Sequence, residues 1–296
     1  MVAQPTTLRM TLRTFVSAVG VILAVLLTAV AVPAAWVDQN IVKEEGFVAI
    51  AGTLGSDPEF QSRLAAAAVG TFESSVDLPG PLQSLAAGAL RNAATGMQSW
   101  SDYPQAWEET VRNSHRLNFG TAAPADESAA STALVLDIGP LVRLIRDHFA
   151  EATRIRLDVP AESLVSLGEP SHRQLVERVA AFAPLWWLAA AGALVSALLA
   201  LAAARRRSLA LVFLGLGGLA LAALWTVGAD LAGGMIGSLA SANGVAELFK
   251  NEFLTTARDG FGQWVGIAAV VSGAVLVAGV IAAVVSGRQG SRSARS

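Results

Sequence analysis

The sequence predicts an α-helical polytopic membrane protein: a four-helix transmembrane bundle carrying a mostly helical α+β extracytoplasmic domain. Three observations predict it. Four long apolar stretches contain no charged side chain, at roughly Phe15–Val37, Ala180–Ala204, Leu209–Ala229 and Trp264–Gly287. Each is long enough to cross a hydrocarbon core of about 30 Å at about 1.5 Å per helical residue. The loops between them alternate in their basic residues, as the positive-inside rule requires of a multi-pass chain. Finally, the acidic residues concentrate in one polar segment: 19 acidic and 11 basic side chains lie between Val37 and Phe182, a net of −8 within a chain of net −2.

Residues 1–14 form a cytoplasmic N-terminus holding Arg9 and Arg13 and no acidic residue. Residues 15–37 are the first span. Arg9, Arg13 and the small residues around Pro33 also fit a cleaved signal peptide, but the apolar run exceeds the usual 7–15 residues of such segments, which favours a retained helix.

The extracytoplasmic α+β domain covers 38–179. A helix over Ile41–Thr53 continues from the membrane edge. Asp57-Pro58 is an N-cap followed by proline at the first helical position, with Phe60, Leu64, Ala68 and Phe72 behind it on one face. Leu78-Pro79-Gly80-Pro81 breaks the chain before a helix with Leu82, Leu85, Leu90, Ala93 and Met97 along its stripe. A further helix, Pro104–Asn118, offers Trp107, Val111 and Leu117. Thr121–Ser131 is a loop by composition. Alternation predicts strands at 134–138 and 155–159 around a helix carrying Leu141, Val142, Ile145 and Phe149; that crossover is long enough for parallel pairing. Glu162–Leu167 adds a short strand, and Ser171–Phe182 feeds a helix directly into the second span.

Residues 180–204 are that span, 205–208 a cytoplasmic Arg-rich loop (Arg205, Arg206, Arg207), and 209–229 the third span. An extracytoplasmic loop, 230–263, contains an amphipathic helix with Val245, Leu248, Phe249, Phe253 and Leu254 on its apolar face; docking on the large domain is favoured, because the polar face lacks the basic excess of surface-bound helices. Gly228–Gly237 has a second reading as a re-entrant segment. Residues 264–287 are the fourth span, and 288–296 a cytoplasmic basic tail with Arg288, Arg292 and Arg295. Reversing this topology would export the Arg triplet at about 2.5–3.5 kcal/mol per arginine. Trp36, Trp186, Trp187 and Trp264 fall at outer span ends, where indoles anchor at the headgroups. Small residues at helical spacing mark interhelical seams: Ser17, Gly20, Ala24 and Thr28 in the first span, Gly192, Ser196 and Ala200 in the second, Gly218 and Ala222 in the third, which is placed at the centre of the bundle.

The chemistry-bearing residues form no catalytic pattern. With no cysteine, disulfides and thiolate metal centres are excluded. His115, His148 and His172 are far apart, none in a zincin spacing; His148 and Asp147 read as surface residues. Glu44-Glu45 and Glu108-Glu109 are neighbours that point apart on a helix and read as solvated faces. Asp230, at the outer edge of the third span, reads as a solvated or capping carboxylate rather than an ion site. No catalytic, metal-binding or cofactor-binding residue and no cofactor are assigned. The expected partners are the lipid bilayer and other envelope or membrane proteins, and no nucleic acid, since the acidic segment repels phosphate.

Several short features run together: Trp36, Phe47-Val48, Asp57-Pro58-Glu59-Phe60-Gln61, a Trp107–Asn113–His115-Arg116 cluster and Leu136-Asp137-Ile138. In these the chain resembles a group of uncharacterised integral membrane proteins common in actinobacteria. The resemblance implies a topology and a bacterial plasma-membrane setting, and brings no catalytic residue. Three functional readings stand: a non-enzymatic envelope binding or scaffold protein, a transport component or small channel, and an envelope hydrolase or transferase.

Overall fold

The computed structural model describes residues 5–64, 96–120, 134–153, 164–166, 170–239, 241 and 243–293. Its helices are α1 (Pro5–Val37), α2 (Glu44–Gly55), α3 (Tyr103–Phe119), α4 (Gly139–Thr153), α5 (Pro170–Phe182), α6 (Trp186–Ala203), α7 (Arg207–Gly237) and α8 (Gly244–Ser293), with a helical stretch at 58–64. Two short strands, β1 (Val135–Asp137) and β2 (Leu164–Ser166), pair antiparallel with Leu136 opposite Val165. Four helical segments are long and apolar enough to cross a membrane: Leu12–Val42, Val176–Ala203, Arg207–Gly237 and Gly244–Ser286. The chain divides into two compact units, one comprising Met1–Val37, Phe182–Ala232 and Asp259–Ser296, the other Asp38–Ala181 and Gly233–Arg258.

The first unit is held by the small residues. A Cβ on Gly20 would stand 3.0 Å from the Ala200 Cβ and 3.0 Å from the Ser196 carbonyl, so any larger residue would make α1 or α6 give way by a few tenths of an ångström. Ser17 Oγ donates to Ala200 O at 3.0 Å across the same seam. Between α7 and α8, a Cβ on Gly215 would meet the Leu276 backbone at 2.6 Å, and one on Gly279 the Val212 nitrogen at 2.7 Å. Leu221, Ala222, Trp225 and Val265 form a buried cluster with Val25, Ala29 and Val32 of α1 packed against it. The third span, α7, packs against both α1 and α8, and α1 packs in turn against both α6 and α7.

Pro33 sits inside α1. Having no N–H, it leaves the Ala29 carbonyl without its helical donor four residues on. The Trp225 indole fills the gap, its Nε1 donating to Ala29 O at 3.2 Å.

The second unit has one core. Leu54, Phe60, Leu64, Tyr103, Trp107, Val111, Leu136, Leu141 and Leu144 are buried together, joined by Val245 and Phe249 of α8. The apolar face read for 245–254 therefore packs into this core. Asp57 caps the 58–64 helix as expected, its Oδ1 accepting from Glu59 N at 2.7 Å and Phe60 N at 3.2 Å.

Other expectations need correction. The helix expected from Ile41 is interrupted by a π-turn, Asp38–Val42, and α2 starts only at Glu44. The helix feeding the second span is separated from it by a 3₁₀ turn at Ala183–Leu185, where Pro184 cannot extend the preceding helix. Gly228–Gly237, whose second reading was an unwound segment, is helical within α7. The amphipathic segment is the start of α8 and continuous with the fourth span. The described partner of β1 is antiparallel β2, in the short strand expected at 162–167; the expected parallel partner, 155–159, lies outside the described residues, as do Ala68, Phe72, the loop at 121–131 and the helix from Leu82 as far as residue 95, while Met97–Ser99 forms a 3₁₀ turn.

Candidate functional site

Helix α3 organises the polar groups of the second unit. Its inward face buries Tyr103, Ala106, Trp107 and Val111, but also Thr110, Ser114 and His115. Polar groups taken out of water need partners; Ser114 and His115 have them, whereas the Thr110 hydroxyl makes no hydrogen bond.

On one flank lies an ion cluster. Glu44 Oε1 accepts from Arg112 Nη1 at 2.6 Å and Arg116 Nη2 at 3.2 Å, and its Oε2 from Arg116 Nε at 2.9 Å. Arg112 reaches on to Glu108 Oε1 at 2.6 Å. The Arg116 hydrogen bonds hold the Glu44 carboxyl below its ordinary range, against the opposing effect of burial. Glu44 is thus an ion-paired residue rather than the solvated carboxylate expected. Glu109 pairs separately with Arg143 at 2.9 Å, so the two adjacent carboxylates do diverge.

Next to it, His115 is 5% exposed. Its ring stacks on Phe119 with centroids 4.6 Å apart and leans on Phe47 at 5.2 Å. Nε2 lies 3.1 Å from the Ile41 carbonyl, so the neutral ring carries its proton there. Burial pushes the His115 pKa below its usual value, while the Ile41 and Val42 carbonyls and Glu44 pull the other way.

The third group ties α3 to β1. Ser114 Oγ donates to Thr110 O at 2.6 Å and accepts from Asp137 N at 2.9 Å. Asp137, buried, accepts from Asn113 Nδ2 at 3.1 Å and Gly139 N at 2.9 Å. The Asn118 amide donates to Val135 O at 2.7 Å and accepts from Val135 N at 2.9 Å, bonding β1 as a neighbouring strand would.

Serine, histidine and aspartate thus meet in one place, and the geometry decides what they can do. A nucleophilic triad needs serine bonded to histidine and histidine to the acid. Here Ser114 bonds helix backbone and the β1 amide, His115 faces Ile41, and Asp137 holds Asn113 and the α4 N-terminus. These groups hold the unit together.

Further along α3, Trp107 Nε1 donates to Ala51 O at 3.0 Å and the Gln61 amide donates to Gly55 O. The Tyr103 hydroxyl, buried beside Gln61 without a hydrogen bond of good geometry, is pushed up to about 12 by burial. His148 is half-buried and stacked on Trp100 at 3.9 Å, a correction to the surface position expected. Of the residues that carry the resemblance, Phe47, Gln61, Trp107, Asn113, His115, Arg116 and Asp137 lie on or near this helix, whereas Trp36 belongs to the other unit. Among the described residues, no three His, Asp or Glu side chains are placed to hold a metal ion.

The arginines expected to set the topology fall near helix ends. Arg9 and Arg13 lie in the first half of α1; exposed Arg205 and Arg206 link α6 to α7, which begins with Arg207. Arg288 and Arg292 lie in the last turns of α8, and Arg295 falls outside the described residues. Of the expected interface anchors, Trp187 is exposed at the start of α6, Trp186 beside it and Trp264 are half-buried, and Trp36 is buried edge-on against Phe261 at 5.5 Å. Asp230 is exposed on α7.

Ser114, Trp225 and Lys250 had no role assigned from the sequence. Trp225 is an interhelical donor, and Pro33 signalled the need for one. Lys250 donates to Gly237 O at 3.0 Å and Leu239 O at 2.6 Å, capping the α7 C-terminus. No family model, no curated protein and no solved structure matches the chain.

Proposed function

We propose that this is a multi-pass bacterial plasma-membrane protein with both termini cytoplasmic and residues 38–179 extracytoplasmic, acting there as a non-enzymatic binding or scaffold component of the envelope. One observation carries the reading. Ser114, His115 and Asp137 are each committed to backbone groups within the fold, and Glu44, Arg112 and Glu108 are committed to one another on its flank. Such a unit offers an ordered surface, and surface recognition needs nothing more. The four apolar helices supply the anchor. The alternating arginines supply the orientation.

The chain has no cysteine, so one introduced at exposed Gln105 is its sole reactive thiol. A heterobifunctional crosslinker placed there in intact cells is expected to capture a discrete envelope partner. Absence of any adduct, together with an unchanged envelope phenotype on deletion, would sink the proposal.

A further inference from the structure

The π-turn Asp38–Val42 is held in the second unit from three sides. Asp38 pairs at 3.3 Å with Lys43, the residue that follows the turn. The α2 backbone lies so close that a Cβ on Gly46 would overlap the Gln39 carbonyl. The third hold is His115, bonded to Ile41 and sealed between Phe47 and Phe119, with Phe253 of α8 against Phe47.

We propose that His115 is an acid-sensitive latch: its protonation releases the Asp38–Val42 turn from α3. A charged imidazole is costly in this aromatic enclosure, whereas a released turn lets it reach water. The charges the ring senses are Glu44 on α2 and Arg116 on its own helix. These are bonded to each other, and with Arg112 and Glu108 they form a set with no net charge, so neither sign dominates. Glu44 titrates below its usual range, so the ion cluster persists while the histidine charges.

The sign follows from linkage. The closed form prefers neutral His115, so opening is favoured as pH falls below the ordinary histidine value of 6.5. The opening constant rises by up to about tenfold per pH unit and levels off once the closed form also takes up the proton.

Hydrogen exchange on the full chain in detergent micelles, normalised for intrinsic rate, tests this. Between about pH 7.5 and about pH 5, residues 38–43 are expected to lose protection while the α7 span holds. In His115→Gln and His115→Phe the pH-dependent part is expected to vanish; in His148→Gln it persists. Wild-type protection that does not change with pH, or an equal loss in both His115 variants, overturns the latch. Should neither variant fold, histidine-labelled wild-type protein decides by NMR. Charging of His115 together with exposure of the turn supports the latch, and charging while the turn stays protected overturns it.

Discussion

Glu44 shows how much a single polar residue does here. It is 26% exposed and joins α2 to two arginines one turn apart on α3. Charge-assisted bonds of this geometry are stronger than neutral ones, though partial exposure screens them. Glu44→Gln is expected to lower the thermal midpoint of the second unit at neutral pH. The carboxyl titrates below its ordinary value of 4.5, so its stabilising effect is complete above that value and is lost as pH falls through the lowered one. The gap between wild type and variant in pH-resolved thermal melts should therefore close only in strong acid. A gap closing near neutral pH would contradict the ion-pair account. This pairing was invisible in the sequence, because 68 positions separate Glu44 from Arg112 and nothing local links them. The Asp57 cap was legible, since it needs only residues two and three positions on.

At the scale of helices, the clearest dependence is between Pro33 of α1 and Trp225 of α7. Trp225→Phe strands the Ala29 carbonyl in apolar surroundings and should cost about 1–3 kcal/mol. Pro33→Ala restores the intrahelical donor, so the same tryptophan change should cost less in that background. A double-mutant cycle in detergent measures the coupling; strictly additive effects would show that the indole is not replacing the missing bond. The spans themselves were legible because an uninterrupted apolar run decides a membrane helix without tertiary information. Their ends were not. The π-turn after Val37 and the fusion of the 245–254 helix with the fourth span depend on what those residues pack against, which periodicity does not encode. Lys250 illustrates the same limit: its ammonium was countable, but its partners at Gly237 and Leu239 emerge only when α7 and the start of α8 are in place.

For the whole molecule, the proposed orientation makes a simple demand on accessibility. With a cysteine-free background, Arg206→Cys and Gln105→Cys report independently. In intact cells a membrane-impermeant maleimide is expected to label position 105 at once and position 206 only after permeabilisation; immediate labelling at 206 would invert the topology. How a partner could engage the second unit is narrowed by its small sheet. The Val135 N–H and C=O are taken by Asn118, and the Asp137 N–H by Ser114. The flank of β1 turned toward α3 has been closed off by side chains impersonating a third strand. An extended peptide cannot zip onto it, and neither can a sister chain in an amyloid-like stack. Crowding on the membrane therefore brings no risk of runaway β-assembly through that flank, and a partner that meets it finds side chains where a strand edge would be.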